Sequence, residues 1–170
     1  MFEAAAAPPV ARFILRGDAE VVARTAAAFG VAPPLEPCRA TESGPRAALW
    51  LGPDEWLLLA PDAQFLAALA AALADLPHSL VDVSDAYETL TLSGPAAART
   101  LSAGCPLDLH PSAFPPGTAT RTVLARTGII LWRRAETEWR LEVGRSYAAY
   151  AQDFLSEAAR GMPMQDSVQP

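Results

Sequence analysis

The sequence predicts an α+β domain made of two ferredoxin-like β-α-β-β-α-β pseudo-repeats, and three observations predict it. Short apolar runs bounded by Gly and Pro recur along the chain, as strands require. Between them lie segments whose apolar residues return every three or four positions, the helical period. The order of these elements starts again near residues 84–86, so residues 1–170 read as one domain with an internal duplication. Its core is expected over about residues 11–160, with flexible ends at 1–10 and 161–170.

Ala11–Arg16 is the first strand, and Gly17-Asp18 turns it into a helix capped by Asp18 and ended by Gly30. Residues 31–45, with Pro33, Pro34, Pro37 and Gly44, read as a loop. Ala47–Leu51 and Trp56–Ala60 form a hairpin across Gly52-Pro53-Asp54-Glu55, where Pro53 and Asp54 suit a type I turn. Pro61-Asp62 starts a second helix with Phe65, Leu66, Leu69, Leu73 and Leu76 on one face, stopped by Pro77. Ser79–Val83 closes the first unit. The second begins with a strand at Tyr87–Leu92 and a short helix at Ala96–Ala103, entered through Gly94-Pro95. Cys105–Gly117, with four prolines, is a rigid connection. Thr118–Arg126 and Gly128–Arg134 form a strand pair, Trp139–Val143 a further strand, and Ser146 caps a last helix to about Arg160. Tyr147, Tyr150, Phe154 and Ala158 mark its expected buried stripe.

Composition bounds the function. At 170 residues, 51% hydrophobic and 19% charged, the chain has enough apolar content to fold around a sizeable core. A net charge of −6 and a pI near 4.8 repel phosphate backbones, so nucleic acid is not an expected partner. No run approaches the roughly 18 consecutive apolar residues of a membrane span. The N-terminus lacks the basic start and apolar core of a secretory signal, and the two cysteines, Cys38 and Cys105, make no disulfide framework. A cytoplasmic location is the expectation.

Several strands are apolar at successive positions: Leu49-Trp-Leu51, Trp56-Leu-Leu-Leu-Ala60 and Ile129-Ile-Leu-Trp132. A sheet with helices on one face only should alternate, so these runs demand cover on both sides. Either the two half-domains pack on each other or a partner protein supplies the rest.

Candidate chemistry is sparse. Ser84-Asp85 with His78 imitates a nucleophilic triad, but Ser and Asp at a strand end ordinarily bond local backbone. Asp82 and Asp85 have the spacing of a carboxylate pair at a strand end. Cys38, Cys105, His78 and His110 show none of the short spacings of structural zinc sites, and no glycine-rich phosphate loop is present. No catalytic, cofactor-binding or metal-ligating residue is therefore assigned. His110 reads as a hydrogen-bonded loop residue and Cys105 as a buried one.

Three stretches carry a resemblance: Leu49-Trp-Leu-Gly-Pro-Asp-Glu-Trp-Leu-Leu-Leu59; Val81-Asp-Val-Ser-Asp85 leading to Leu92-Ser-Gly-Pro-Ala-Ala97; and Gly104-Cys-Pro-Leu-Asp-Leu-His-Pro-Ser-Ala-Phe-Pro-Pro-Gly117. Together with Ile130-Leu-Trp-Arg133 and Arg145-Ser-Tyr-Ala148, they resemble the γ-subunit family of heterotetrameric sarcosine oxidase over about residues 11–160. The resemblance implies a fold similar to the folate-binding domain of the glycine-cleavage T protein. It further implies a non-catalytic subunit that stabilises large flavoprotein subunits. FAD, FMN, NAD and tetrahydrofolate are then expected on the α and β subunits, zinc on the δ subunit, and no cofactor on this chain. Where the T protein has a Gly-Gly turn followed by acidic residues, this sequence has Gly128-Ile-Ile-Leu-Trp132, and an aliphatic run cannot accept a proton. The expected partner interface comprises Cys105, Pro106, Leu107, Asp108, Leu109, His110, Trp132 and Arg133. Two alternatives stay open: a stand-alone binder of folate or another small molecule, and a subunit of a related complex acting on a different N-methylated amine.

Overall fold

The structure is a computed structural model that describes residues 3–8 and 10–161. Its elements in chain order are β1 (Glu3–Ala6), β2 (Ala11–Arg16), α1 (Ala19–Phe29), β3 (Ala40–Ser43), β4 (Arg46–Gly52), β5 (Glu55–Ala60), α2 (Gln64–Leu73) and β6 (Ser79–Asp82). The second half follows with β7 (Tyr87–Ser93), α3 (Ala97–Ser102), β8 (Ala119–Leu124), β9 (Thr127–Ala135), β10 (Glu138–Gly144) and α4 (Ala148–Arg160). A 3-10 turn at Ser84–Ala86 joins the halves.

Two five-stranded antiparallel sheets result, in the orders β3-β4-β5-β2-β6 and β8-β9-β10-β7-β1. Element for element the two are the same. Each has a central strand entering a helix (β2-α1, β7-α3), a three-strand meander (β3-β4-β5, β8-β9-β10), a second helix (α2, α4) and an outer strand beside the central one. In the first half that outer strand is β6, which follows α2 in the chain. In the second half it is β1, which comes from the start of the chain and pairs Glu3 with Ser93 and Ala6 with Leu90. The first half thus has the expected β-α-β-β-α-β order with β3 added at its edge.

Local chemistry accounts for the boundaries. The Asp18 carboxylate accepts from the backbone N–H groups of Glu20 and Val21 and so caps α1. Gly30 ends that helix at φ 72°, a left-handed conformation that glycine adopts without a Cβ clash. Pro53 and Asp54 lie between β4 and β5 as the turn chemistry requires.

Three interior layers organise the packing. Phe13, Leu15, Val21, Phe29, Trp56, Leu58, Leu69 and Leu73 fill the space between the first sheet and α1 and α2. Leu90, Leu92, Leu101, Leu131, Trp139, Leu141 and Leu155 do the same between the second sheet and α3 and α4. The third layer lies between the sheets and joins Ala47, Leu49, Leu51, Leu57 and Leu59 of the first to Ala119, Ile130 and Trp132 of the second. The molecule is therefore a helix–sheet–sheet–helix sandwich, and the non-alternating strands have their explanation. In β5, Trp56 and Leu58 face helices while Leu57 and Leu59 face the other sheet. Each fully buried leucine contributes about 2 kcal/mol of transfer free energy, so this middle layer is as much a core as the outer two. Of the two sources of cover left open by the sequence, internal burial supplies this one.

Four expectations need correction. The loop read over residues 31–45 contains β3, a short edge strand whose Ala40 pairs with Leu49. Residues 3–6, expected in a flexible end, form β1, held by its ladder to β7. Ser146 does not cap α4, which has no side-chain cap. The buried stripe of α4 is Ala148, Ala151 and Leu155, while Tyr147 and Tyr150 are exposed, because α4 packs its small residues against the sheet. The expected flexible end at 161–170 lies, apart from Gly161, outside the described residues.

Candidate functional site

The two sheets meet at two seams of opposite character. At one, backbone joins them: the Ala40 N–H donates to the Gly117 carbonyl and the Ala119 N–H to the Cys38 carbonyl. At the other, charged side chains stand where the third core layer has ended. The alternation of β2 turns Arg12 away from its helices and toward the second sheet, and that of β10 turns Arg140 and Glu142 toward the first.

Arg12 and Glu142 are almost completely buried, with side-chain exposures of 4% and 1%, and Nε donates to Oε2 at 2.7 Å. Arg140 Nε donates to the other oxygen, Oε1, at 2.6 Å. Thr89 of β7 completes the cluster: its hydroxyl accepts from Arg12 Nη2 at 2.6 Å and donates to the Glu142 carboxylate. Arg12 Nη1 donates to the carbonyls of Val10 and Ser84. Two guanidiniums on one carboxylate leave this largely buried cluster with an excess positive charge, satisfied by hydrogen bonds, with Arg140 14% exposed at its edge.

Beside the cluster opens a cavity of about 350 Å³, bounded by Arg12, Thr89, Ser84, Tyr87, Asp85, Glu88 and Arg145 and by Ala6, Ala7, Pro8 and Val10. Arg145 Nη2 donates to Asp85 Oδ1 at 3.1 Å across its rim. Ser84 sits at the base of the turn between the halves, and its hydroxyl is fully used. It donates to Asp82 Oδ1 at 2.6 Å and accepts the Arg12 backbone N–H at 3.0 Å. That hydroxyl bond, with the Ser84 backbone N–H, holds the Asp82 carboxyl below its usual range.

The residues weighed as chemistry are not brought together as a site. His78 Nδ1 lies 2.8 Å from the Leu76 carbonyl, and no hydrogen bond links it to Ser84. His110 Nδ1 is 2.7 Å from the Ser112 hydroxyl, inside its own turn. Cys38 and Cys105 are free thiols, and among the described residues no group of His, Cys, Asp and Glu is disposed to hold a metal ion.

The expected partner interface divides by burial. Cys105, Leu109, Trp132 and Arg133 are interior, each no more than 5% exposed. Trp132 belongs to the layer between the sheets. The Arg133 guanidinium lies over the Trp139 ring at 4.9 Å and donates to the Phe114 carbonyl at 2.8 Å, tying the 105–117 connection to β9. These four cannot line a surface of this chain, because the core has already claimed them. Pro106, Asp108 and His110 are exposed and Leu107 half-buried on the outside of the same connection.

Sequence reasoning missed Arg12, Glu142, Thr89 and Arg140. The alternation Trp139-Arg-Leu-Glu-Val143 was available, yet a polar face on a strand reads equally well as a solvated one. The pairing spans 130 residues of chain, and only the sheet-on-sheet packing reveals it.

The fold is a duplicated α+β domain similar in architecture to a solved aminomethyltransferase. A solved glycine cleavage system aminomethyltransferase T from Bartonella henselae superposes with a TM-score of 0.73 at 14% identity, over 94% of this chain and 46% of that one. The chain belongs to the sarcosine oxidase γ-subunit family, whose model matches residues 16–161. It is 44% identical over 113 residues to sarcosine oxidase subunit gamma from Corynebacterium sp. (strain P-1), covering 66% of this chain and 56% of that protein. To the Arthrobacter sp. subunit gamma it is 48% identical over 94 residues, 55% of this chain and 46% of the other. A chain of the heterotetrameric sarcosine oxidase from Corynebacterium sp. U-96, solved in complex with pyrrole 2-carboxylate, matches with a TM-score of 0.88 at 34% identity. That match covers 94% of this chain and 84% of the other. The matched regions span about half the length of the curated relatives.

Proposed function

We propose that this chain is the γ subunit of a heterotetrameric complex that oxidises sarcosine to glycine, in which it contributes shape in place of reactivity. The family match over residues 16–161 carries the proposal. In the reaction the resemblance implies, oxygen is reduced to hydrogen peroxide and the methyl carbon leaves as formaldehyde or methylene-tetrahydrofolate. Flavins, NAD, folate and zinc belong on the α, β and δ subunits, and the assembly is cytoplasmic. Among the described residues no helix is long and apolar enough to cross a membrane.

Two features support a stabilising role. The Ser84 hydroxyl and the Arg12–Glu142–Arg140 cluster are engaged by partners within the chain, so the groups best placed for acid–base work serve to join the halves. The exposed side of the 105–117 connection suits docking. Leu109 and Phe114 are rooted in the core and Phe114 stacks on Trp139 at 5.6 Å, so Pro106, Leu107, Asp108 and His110 are presented on a loop already ordered. A pre-ordered loop loses little entropy on binding.

Co-expression of the tagged chain with the large and small subunits of a sarcosine oxidase tests the proposal. The expected result is co-elution as one complex, and loss of complex stability when the chain is omitted. Separate elution of this chain beside a fully active, stable assembly of the others contradicts it.

A further inference from the structure

The duplicated plan shows where one helix is left without its cover. In the first half α1 has 11 residues and packs along α2. Its last residue, Phe29, meets Phe65, the second residue of α2, edge-on with ring centroids 5.7 Å apart. In the second half α3 has 6 residues, five fewer than α1, which is about 7 Å less helix. Gly104, two residues past its end, packs on the ring of Phe154, the seventh residue of α4, so closely that an added Cβ would lie 2.6 Å from Phe154 Cε1. The shorter helix thus meets its partner five residues later, and the start of α4 stays open where α1 covers the start of α2.

That open stretch is aromatic. Tyr147, Tyr150 and Phe154 recur at i, i+3 and i+7, one stripe of a helix. Tyr147 is 53% and Tyr150 38% exposed, and the Tyr150 and Phe154 ring centroids lie 6.4 Å apart. The other large exposed apolar side chains among the described residues, Leu35, Val81 and Val123, stand singly on separate elements. The stripe also runs on toward the 105–117 connection, since Phe154 and Leu107 are both half-buried against the same core. Charge narrows what can cover it. Asp153 and Glu157 are exposed beside the stripe, Asp108 is exposed on the connection, and Arg160 offsets Glu157 alone. With a net charge of −6, a second copy of this chain or an anionic membrane would meet like charge there.

We propose that Tyr147, Tyr150 and Phe154 form a ridge that seats in an apolar groove with a basic rim on a large subunit of the assembly, as one surface with Leu107. A helix recognised in a groove presents its anchors at this spacing, and tyrosine supplies broad contact at little cost in side-chain entropy. The inference rests on the reading above that the chain works within a complex, and adds to it the surface used and the character of the partner's site.

Titration of the tagged full chain onto the assembly of the other subunits tests this, with wild type compared with Tyr147→Ala/Tyr150→Ala and with Asp153→Lys. The replaced side chains are exposed, so the thermal unfolding temperature of each free chain should stay within about 2 °C of wild type. The tyrosine pair should weaken assembly at least about thirtyfold, the loss of one hot-spot side chain. Asp153→Lys should weaken it about fivefold, and the difference should shrink as salt is raised. A tyrosine variant that assembles with unchanged affinity overturns the ridge and leaves the subunit reading standing, whereas a wild-type chain that enters no complex overturns both. Self-association of the wild-type chain that the tyrosine variant abolishes would assign the ridge to a second copy and overturn the proposal as well.

Discussion

The two halves of the molecule share one plan and use their inner faces differently. The first sheet offers the other an apolar surface of Ala47, Leu49, Leu51, Leu57 and Leu59. The second answers with Ile130 and Trp132 at one end and with Thr89, Arg140 and Glu142 at the other. They differ also in how they close, since β6 follows its own helix in sequence whereas β1 is borrowed from the chain's beginning. The lesson is that a duplicated unit can keep its architecture while one copy turns part of a hydrophobic interface into a charged seam. From the first sheet, Arg12 of β2 reaches into that seam.

The most severe break of this arrangement is Glu142→Ala. It strands two guanidiniums without their carboxylate and should cost about 3–5 kcal/mol by urea denaturation. The double variant Arg12→Met with Glu142→Leu should cost less than half as much, because it removes the charges with their partners and Arg140, 14% exposed, can reach water. A double variant worse than the single would mean that the pair contributes far more than it costs to desolvate.

Next in size is a test of whether the middle layer is a true core. Leu57 lies between the sheets and Leu131 between a sheet and its helices, and both are 0% exposed. Leu57→Ala and Leu131→Ala should each lose about 2–5 kcal/mol, within about 1 kcal/mol of each other. A much smaller loss for Leu57→Ala would show that the sheets separate readily.

Smaller again is the contrast of two helix ends. Gly30 ends α1 at φ 72°, and an added Cβ there would lie 2.7 Å from Arg46 Nη1; Gly161 ends α4 at φ −72°. Gly30→Ala should destabilise by about 1–2 kcal/mol and Gly161→Ala by none, or slightly stabilise. Thermal unfolding of the two variants separates them.

The least effect concerns pH. The Ser84 hydroxyl and N–H hold Asp82 below its ordinary value of 3.8 in the folded chain. Its contribution is therefore fully present above that value and is lost as pH falls through the lower, folded one. Wild type should exceed Asp82→Asn in stability near neutrality, and the gap should narrow only below about pH 4. A gap constant down to pH 2 would refute that role for the carboxylate.

Much of the fold was legible because its signals are local. Asp18 and Gly30 bound α1, and Pro53-Asp54 turns the hairpin, through chemistry that acts within a few residues. β3 escaped because a four-residue edge strand inside a proline-rich stretch has too few positions to show a period. The α4 stripe was misplaced because its buried positions are alanines, whose low bulk is outweighed in sequence by the neighbouring tyrosines. Trp132 and Arg133 were expected at a partner interface; here the interface that holds Trp132 joins the two halves of one chain. The charged seam was the least legible part, being assembled from β2, β7 and β10 by packing alone.

Hydrogen–deuterium exchange, compared between the chain alone and the chain within the co-expressed complex, tests most directly the proposal that a partner meets the 105–117 connection and not the sheets. Docking there predicts new protection at residues 106–110 and unchanged protection along β4, β5 and β9, already sealed inside the sandwich. New protection along those three strands, with none at 106–110, would contradict it.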